Sequence, residues 1–91
     1  MRINIRRSNY SWQEMDFESR QAVGLAIHQV EDKRGIVIGG KRFRNCVLEI
    51  RYGCNIYNTQ IDIVDRDGLI VAFYSDGYFY DSLSEQQVEL F

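Results

Sequence analysis

Proline is absent from all 91 residues, and histidine, tryptophan and cysteine are scarce: one His, one Trp and two Cys. No proline-rich linker, low-complexity stretch or internal repeat divides the chain. Cys46 and Cys54 are too few for a disulfide framework. With His28 they supply at most three metal ligands, without the close paired spacing of structural zinc sites. No apolar run approaches membrane-spanning length. Met1 to Arg7 carries no apolar stretch after its basic residues, unlike a secretory signal. These absences lead us to expect a cytoplasmic chain with reduced thiols, no membrane contact, no metal and no cofactor.

What is present points to one small folded domain. The chain is 45% hydrophobic and 26% charged, a globular rather than a disordered balance. Five Phe, six Tyr and one Trp supply bulky apolar surface for the single core that such a length can bury. Net charge is −2, unevenly spread: residues 1–51 hold ten Lys and Arg against six Asp and Glu, and residues 52–91 hold one Arg against seven acids. That split fits a basic face for nucleic acid, an acidic face for a basic partner, or solvated surface on two halves that attract each other.

Arg2 to Arg6 alternates, with Ile3 and Ile5 on one face, and reads as a first strand. Ser11-Trp12-Gln13-Glu14 has the form of a capping box, with Tyr10 and Met15 placed as a hydrophobic staple. The periodicity predicts a helix from Trp12 to about Val30, its stripe being Met15, Ala22, Val23, Ala26, Ile27 and Val30. Small residues at 22, 24 and 26 would let it lie close on a sheet. After Gly35 come strands and tight turns: Ile36 to Ile38, a Gly39-Gly40 hairpin turn, Phe43 to Tyr52, a turn at Gly53-Cys54-Asn55, and Tyr57 to Ile63. Asp65 to Gly68 turns into Leu69 to Tyr74, and Ser75-Asp76-Gly77 into Tyr78-Phe79-Tyr80. The expected fold is α+β: one N-terminal helix on a mostly antiparallel sheet of about five to six strands, a β-α-β-meander. Residues 1–82 form this single domain, and residues 83–91 a C-terminal tail or a short terminal helix.

Chemistry-bearing patterns are weak. His28 has no nucleophile spaced to pair with it and reads as a surface or capping residue. Asp62, Asp65, Asp67 and Asp76 suggest paired carboxylates or a hard-cation loop. An EF-hand loop begun at Asp62 or Asp65, however, puts Asp67 or Ile70 where glycine is required. Turn chemistry explains Asp65 to Gly68 and Asp76-Gly77 without a ligand. Gly39-Gly40-Lys41 lacks the glycine spacing of a phosphate loop. No catalytic residue is assigned, and the chain is expected not to be an enzyme.

Three surfaces are candidates for binding. Lys33, Arg34, Lys41, Arg42 and Arg44 bracket one hairpin and suit phosphate contacts, with Phe43 or a Tyr to stack on a base. Tyr74, Asp76, Tyr78, Tyr80 and Asp81 compose an acidic, Tyr-rich face of the kind that fills protein interfaces. An edge strand would also permit dimerisation. The third surface is the end, Gln87-Val88-Glu89-Leu90-Phe91. Read as Gln-x-x-Leu-Phe, it resembles the short peptide by which polymerases, clamp-loader subunits and repair proteins engage the bacterial β sliding clamp. The resemblance covers these five residues only. It implies that Gln87 enters a polar subsite and that Leu90 and Phe91 fill an apolar pocket, with Val88 matching the aliphatic second position. Ser84-Glu85-Gln86-Gln87 is, on the other hand, a second capping-box pattern, which would fold Leu83, Val88 and Phe91 back on the sheet.

The expectation is therefore a small protein-interaction module docking on the sliding clamp through its tail, of host, phage or mobile-element origin. The alternatives are a protein inhibitor, of immunity or anti-defence type, acting through the Tyr-rich face, and a nucleic-acid-binding module acting through the basic hairpin.

Overall fold

The computed structural model describes residues 2–8, 12–52 and 59–91. Within them one α-helix, α1 (Phe17–Val30), packs on a mostly antiparallel sheet, as the sequence predicts. The strands number eight rather than five or six: β1 (Asn4–Ser8), β2 (Gly35–Ile38), β3 (Lys41–Arg44), β4 (Val47–Tyr52), β5 (Thr59–Val64), β6 (Ile70–Ser75), β7 (Tyr78–Asp81) and β8 (Glu89–Leu90). They form a five-stranded sheet in the order β1-β4-β5-β6-β7 and a three-stranded sheet in the order β3-β2-β8. Only β1 and β4 run parallel. No described helix is long and apolar enough to cross a membrane.

The helix begins later than the periodicity predicts. Trp12–Glu14 is a single 3-10 turn, held by Arg20, whose guanidinium donates to the carbonyls of Trp12 and Gln13 at 3.1 and 2.9 Å. Asp16 is the true N-cap: its backbone is extended, and its Oδ1 accepts from the Ser19 amide at 3.1 Å. The Ser11 half of the expected capping box lies outside the described residues, as do Cys54 and the turn around it. Val23, Ala26 and Val30 are buried, with Ala22 and Ile27 packed beside them. Gly24 is exposed with open space around it, so the close-approach role belongs to Ala22 and Ala26.

The run from Phe43 to Tyr52 is two strands, not one. Asn45 takes the left-handed backbone at φ 60°, which breaks the strand and sends β3 and β4 into different sheets. Cys46, just beyond the break, is buried, and burial raises its thiol above its ordinary pKa. From β4 onward the meander follows the alternation. Leu48, Ile50, Ile61, Ile63, Ala72 and Phe79 share one core with the helix stripe, Ile3 and Ile36. Full burial of such side chains contributes about 1.5–3 kcal/mol each relative to exposure.

Residues 83–91 are neither a loose tail nor a terminal helix. Gln87 bridges to Tyr80, and the Val88 amide donates to the Phe79 carbonyl at 3.0 Å. β8 then pairs with β2, Leu90 opposite Ile36 and Glu89 opposite Val37. The capping-box expectation fails because Glu85 adopts φ 59°, which ends any helical turn before it starts. This last segment stitches the small sheet to β7 of the large one.

Candidate functional site

The β2–β3 hairpin is closed by Gly39 and Gly40 at φ 56° and 80°, a pair of positive angles that glycine adopts without strain. Its register places Ile36 opposite Phe43 and Ile38 opposite Lys41 on one face, with Val37, Arg42 and Arg44 on the other. Phe43 and Ile38 face the beginning of β6 and the turn after β7. Between them lies a groove of about 350 Å3, completed by Leu69, Ile70, Val71, Asp81, Ser82 and Leu83. Leu83 is 92% exposed, Leu69 66% and Ile70 40%. Three large aliphatic side chains are exposed together at one groove, an apolar surface that a partner's apolar side chains could cover.

Two aspartates hold these leucines outward. Asp65 Oδ1 accepts from the amides of Asp67 and Leu69, both at 2.9 Å, and the Asp65 amide donates to the Leu69 carbonyl at 2.9 Å. Asp81 accepts from the Leu83 amide at 3.2 Å, the Ser84 amide at 3.4 Å and the Ser84 hydroxyl at 2.6 Å. The Ser84 hydroxyl, then the Leu83 amide, keeps the Asp81 carboxyl below its ordinary pKa. Ser82 ties the same turn to β6, its hydroxyl donating to the Ile70 carbonyl at 2.9 Å and its amide to the Val71 carbonyl at 3.1 Å. A shift of register between Ile63 and Val64 brings Ile70 to the rim.

A second depression, of about 390 Å3, adjoins the first across the Phe43 ring, lined by Lys41, Arg42, Arg44, Asn45, Asp65, Arg66 and Asp67. Lys41 lies over the Phe43 ring at 5.1 Å. Of the other predicted basic residues, Arg34 sits beside the Gly35–Arg44 pair, while the Lys33 carbonyl accepts from the Ile3 amide.

No protein-family model, curated protein or solved structure matches this chain.

The structure divides the acidic, Tyr-rich face. Tyr74, opposite Phe79 and edge-on to it at 5.3 Å, belongs to the helix side. There it lines a depression with Asp76, Gly77, Glu18 and Leu25, and burial raises its phenol above the ordinary value. Tyr80 stacks on Phe73 at 5.8 Å, and the half-exposed Tyr78 pairs with Ser75; both lie on the opposite face. Asp81 is committed to its turn. The predicted tail residues are engaged too. Val88 and Leu90 pack on the core, and Phe91 lies over Gly35, where an added Cβ would sit 3.0 Å from the ring and 2.0 Å from the Phe43 carbonyl oxygen. Arg42 and Arg44 face the Phe91 ring at 4.9 and 5.7 Å.

Asp62 stands apart from the turn aspartates. It is 2% exposed, accepts from Gln60 Nε2 at 2.9 Å, and lies 3.7 Å from Arg51, whose Nε is 3.6 Å from Glu49. Desolvation outweighs the Arg51 charge and pushes its carboxyl up. Among the described residues no group of three or more His, Cys, Asp or Glu is disposed to hold a metal ion. Sequence reading missed the groove. Its only sequence signal is Leu69 and Leu83, each an aliphatic residue inside turn chemistry, Asp-Gly-Leu and Asp-Ser-Leu-Ser, where strand alternation does not account for it.

Proposed function

We propose that this chain is a non-catalytic protein-interaction module whose docking surface is the groove of Ile38, Phe43, Leu69, Ile70, Val71 and Leu83. The observation that supports it is the outward presentation of Leu69, Ile70 and Leu83 by two hydrogen-bonded turns. Backbone already fixed by these turns loses little freedom on binding, so more of the burial of Leu69 and Leu83 appears as affinity. An inhibitory role toward a target protein is one form of this reading.

Docking on a sliding clamp through Gln87, Val88, Leu90 and Phe91 is the second proposal, resting on the five-residue resemblance. It requires β8 to leave β2 first, and β8 is only two residues long. Affinity capture with the full chain, Leu83→Asp, Tyr78→Ala and a chain lacking Leu90 and Phe91 separates the readings. Loss of the retained protein with Leu83→Asp but not with Tyr78→Ala supports the groove. Unchanged capture by Leu83→Asp contradicts it, and loss of purified clamp with the shortened chain alone supports the tail.

A further inference from the structure

Resting on the groove reading, we infer that the partner supplies an extended, acidic segment that adds to the open edge of β3 as a new strand. β3 ends the small sheet, and among the described residues no strand pairs with its outer side. In a two-residue hairpin the closing pair Ile38–Lys41 and then Ile36–Phe43 exchange hydrogen bonds across β2 and β3. That alternation turns the amides and carbonyls of Arg42 and Arg44 outward. The far side of the hairpin confirms the parity, because Gly35 exchanges its own bonds with Phe91 on the β8 side.

Charge gives the occupant its character. Lys41, Arg42, Arg44 and Arg66 surround this edge, and among the described residues none of the four forms an ion pair. Two carboxylates, Asp65 and Asp67, line the same depression against these four cations, and Oδ1 of Asp65 accepts from two turn amides. A second copy of the chain is a poor occupant, since β3 against β3 sets Lys-Arg-Phe-Arg against itself with like charges opposed. Nucleic acid fits less well than peptide. The Arg42 and Arg44 guanidinium groups already lie over the Phe91 ring, and the adjoining groove offers a single aromatic ring, Phe43, which Lys41 covers, among aliphatic side chains.

Side-chain alternation then specifies the segment. Residues on the Arg42 and Arg44 side are Asp or Glu. Those between them, on the Phe43 side, are large and apolar and enter the groove beside Leu69, Ile70 and Leu83.

The test uses the full chain and a labelled ten-residue peptide alternating Glu with Leu. Controls are an isomer with the same residues in blocks, a Lys–Leu alternating peptide and a single-stranded DNA ten-mer. The Glu–Leu peptide is expected to bind, more weakly at higher salt, and the controls to bind at least about tenfold more weakly. N-methylation of the alternate peptide amides that face β3 is expected to abolish binding, and methylation of the other set to spare it. Arg42→Gln with Arg44→Gln, on the face of β3 that meets the acidic residues, is expected to weaken binding of the Glu–Leu peptide about tenfold in a chain that still shows a cooperative thermal transition, and unchanged binding by that variant overturns the inference. Equal binding of the block isomer, indifference to N-methylation, or preference for the DNA overturns the inference. Capture that depends on Leu83 together with failure of the acidic peptide would sink this inference alone and leave the groove reading standing.

Discussion

Asp62 places a carboxylate in the β5 strand with almost no access to water, next to Glu49 on the facing strand and with Arg51 as its counter-charge. Burial wins, so the folded chain holds the Asp62 proton more tightly than the unfolded chain. Folded proton uptake exceeding unfolded uptake makes the slope of stability against pH negative for this group. Its contribution is full below the ordinary value of 3.8 and is lost as pH rises through the raised folded pKa. Asp62→Asn removes that titration. Denaturant titrations at a series of pH values from acid to neutral should show the stability difference moving in favour of Asp62→Asn as pH rises. A difference that moves toward the wild type would contradict the assignment. At the same scale Asp65 and Asp81 show why acidic clustering in a sequence is a poor guide to chemistry. Their oxygens are used by backbone amides one turn away, and what they deliver is the direction of a leucine.

Among the elements, the turns were legible and the last strand was not. Gly39-Gly40, Asp65 to Gly68 and Asp76-Gly77 declare themselves because the positive backbone angles they need are a local matter. The break at Asn45 leaves only a faint mark, a change of phase between Phe43 and the alternating Cys46, Leu48 and Ile50. β8 was hidden for a different reason. Its partner β2 lies some fifty residues earlier, and a two-residue strand has no periodicity to read. Gly35 carries part of that missing signal, since it is the flat seat over which Phe91 lies. Removing Leu90 and Phe91 strips a half-buried aliphatic, an aromatic cover and the backbone bonds to Gly35. This should cost roughly 2–3 kcal/mol and lower the thermal midpoint by roughly 10 °C or more. An unchanged midpoint would mean that the last residues contribute nothing to the fold.

For the whole molecule, one helix against antiparallel strands could be read from two periodicities, 3.6 and 2, and the core residues follow from them. The assembly of the binding surface could not. The groove draws Ile38 and Phe43 from one sheet, Leu69 to Val71 from the other, and Leu83 from the turn that leads toward β8. Two sheets meeting at the last segment create a surface that no single stretch of chain encodes. Among the described residues the same meeting leaves β3 at the end of its sheet, carrying charges of one sign only.

The most direct measurement is amide hydrogen exchange on the full chain, free and with the protein it captures. The groove account predicts new protection at Leu69 to Val71, at Ser82 and Leu83, and along Lys41 to Arg44, with the β6–β7 turn at Asp76 and Tyr78 unaltered. Protection confined to that turn, or faster exchange in β8 as residues 87–91 leave β2 for the partner, would contradict it.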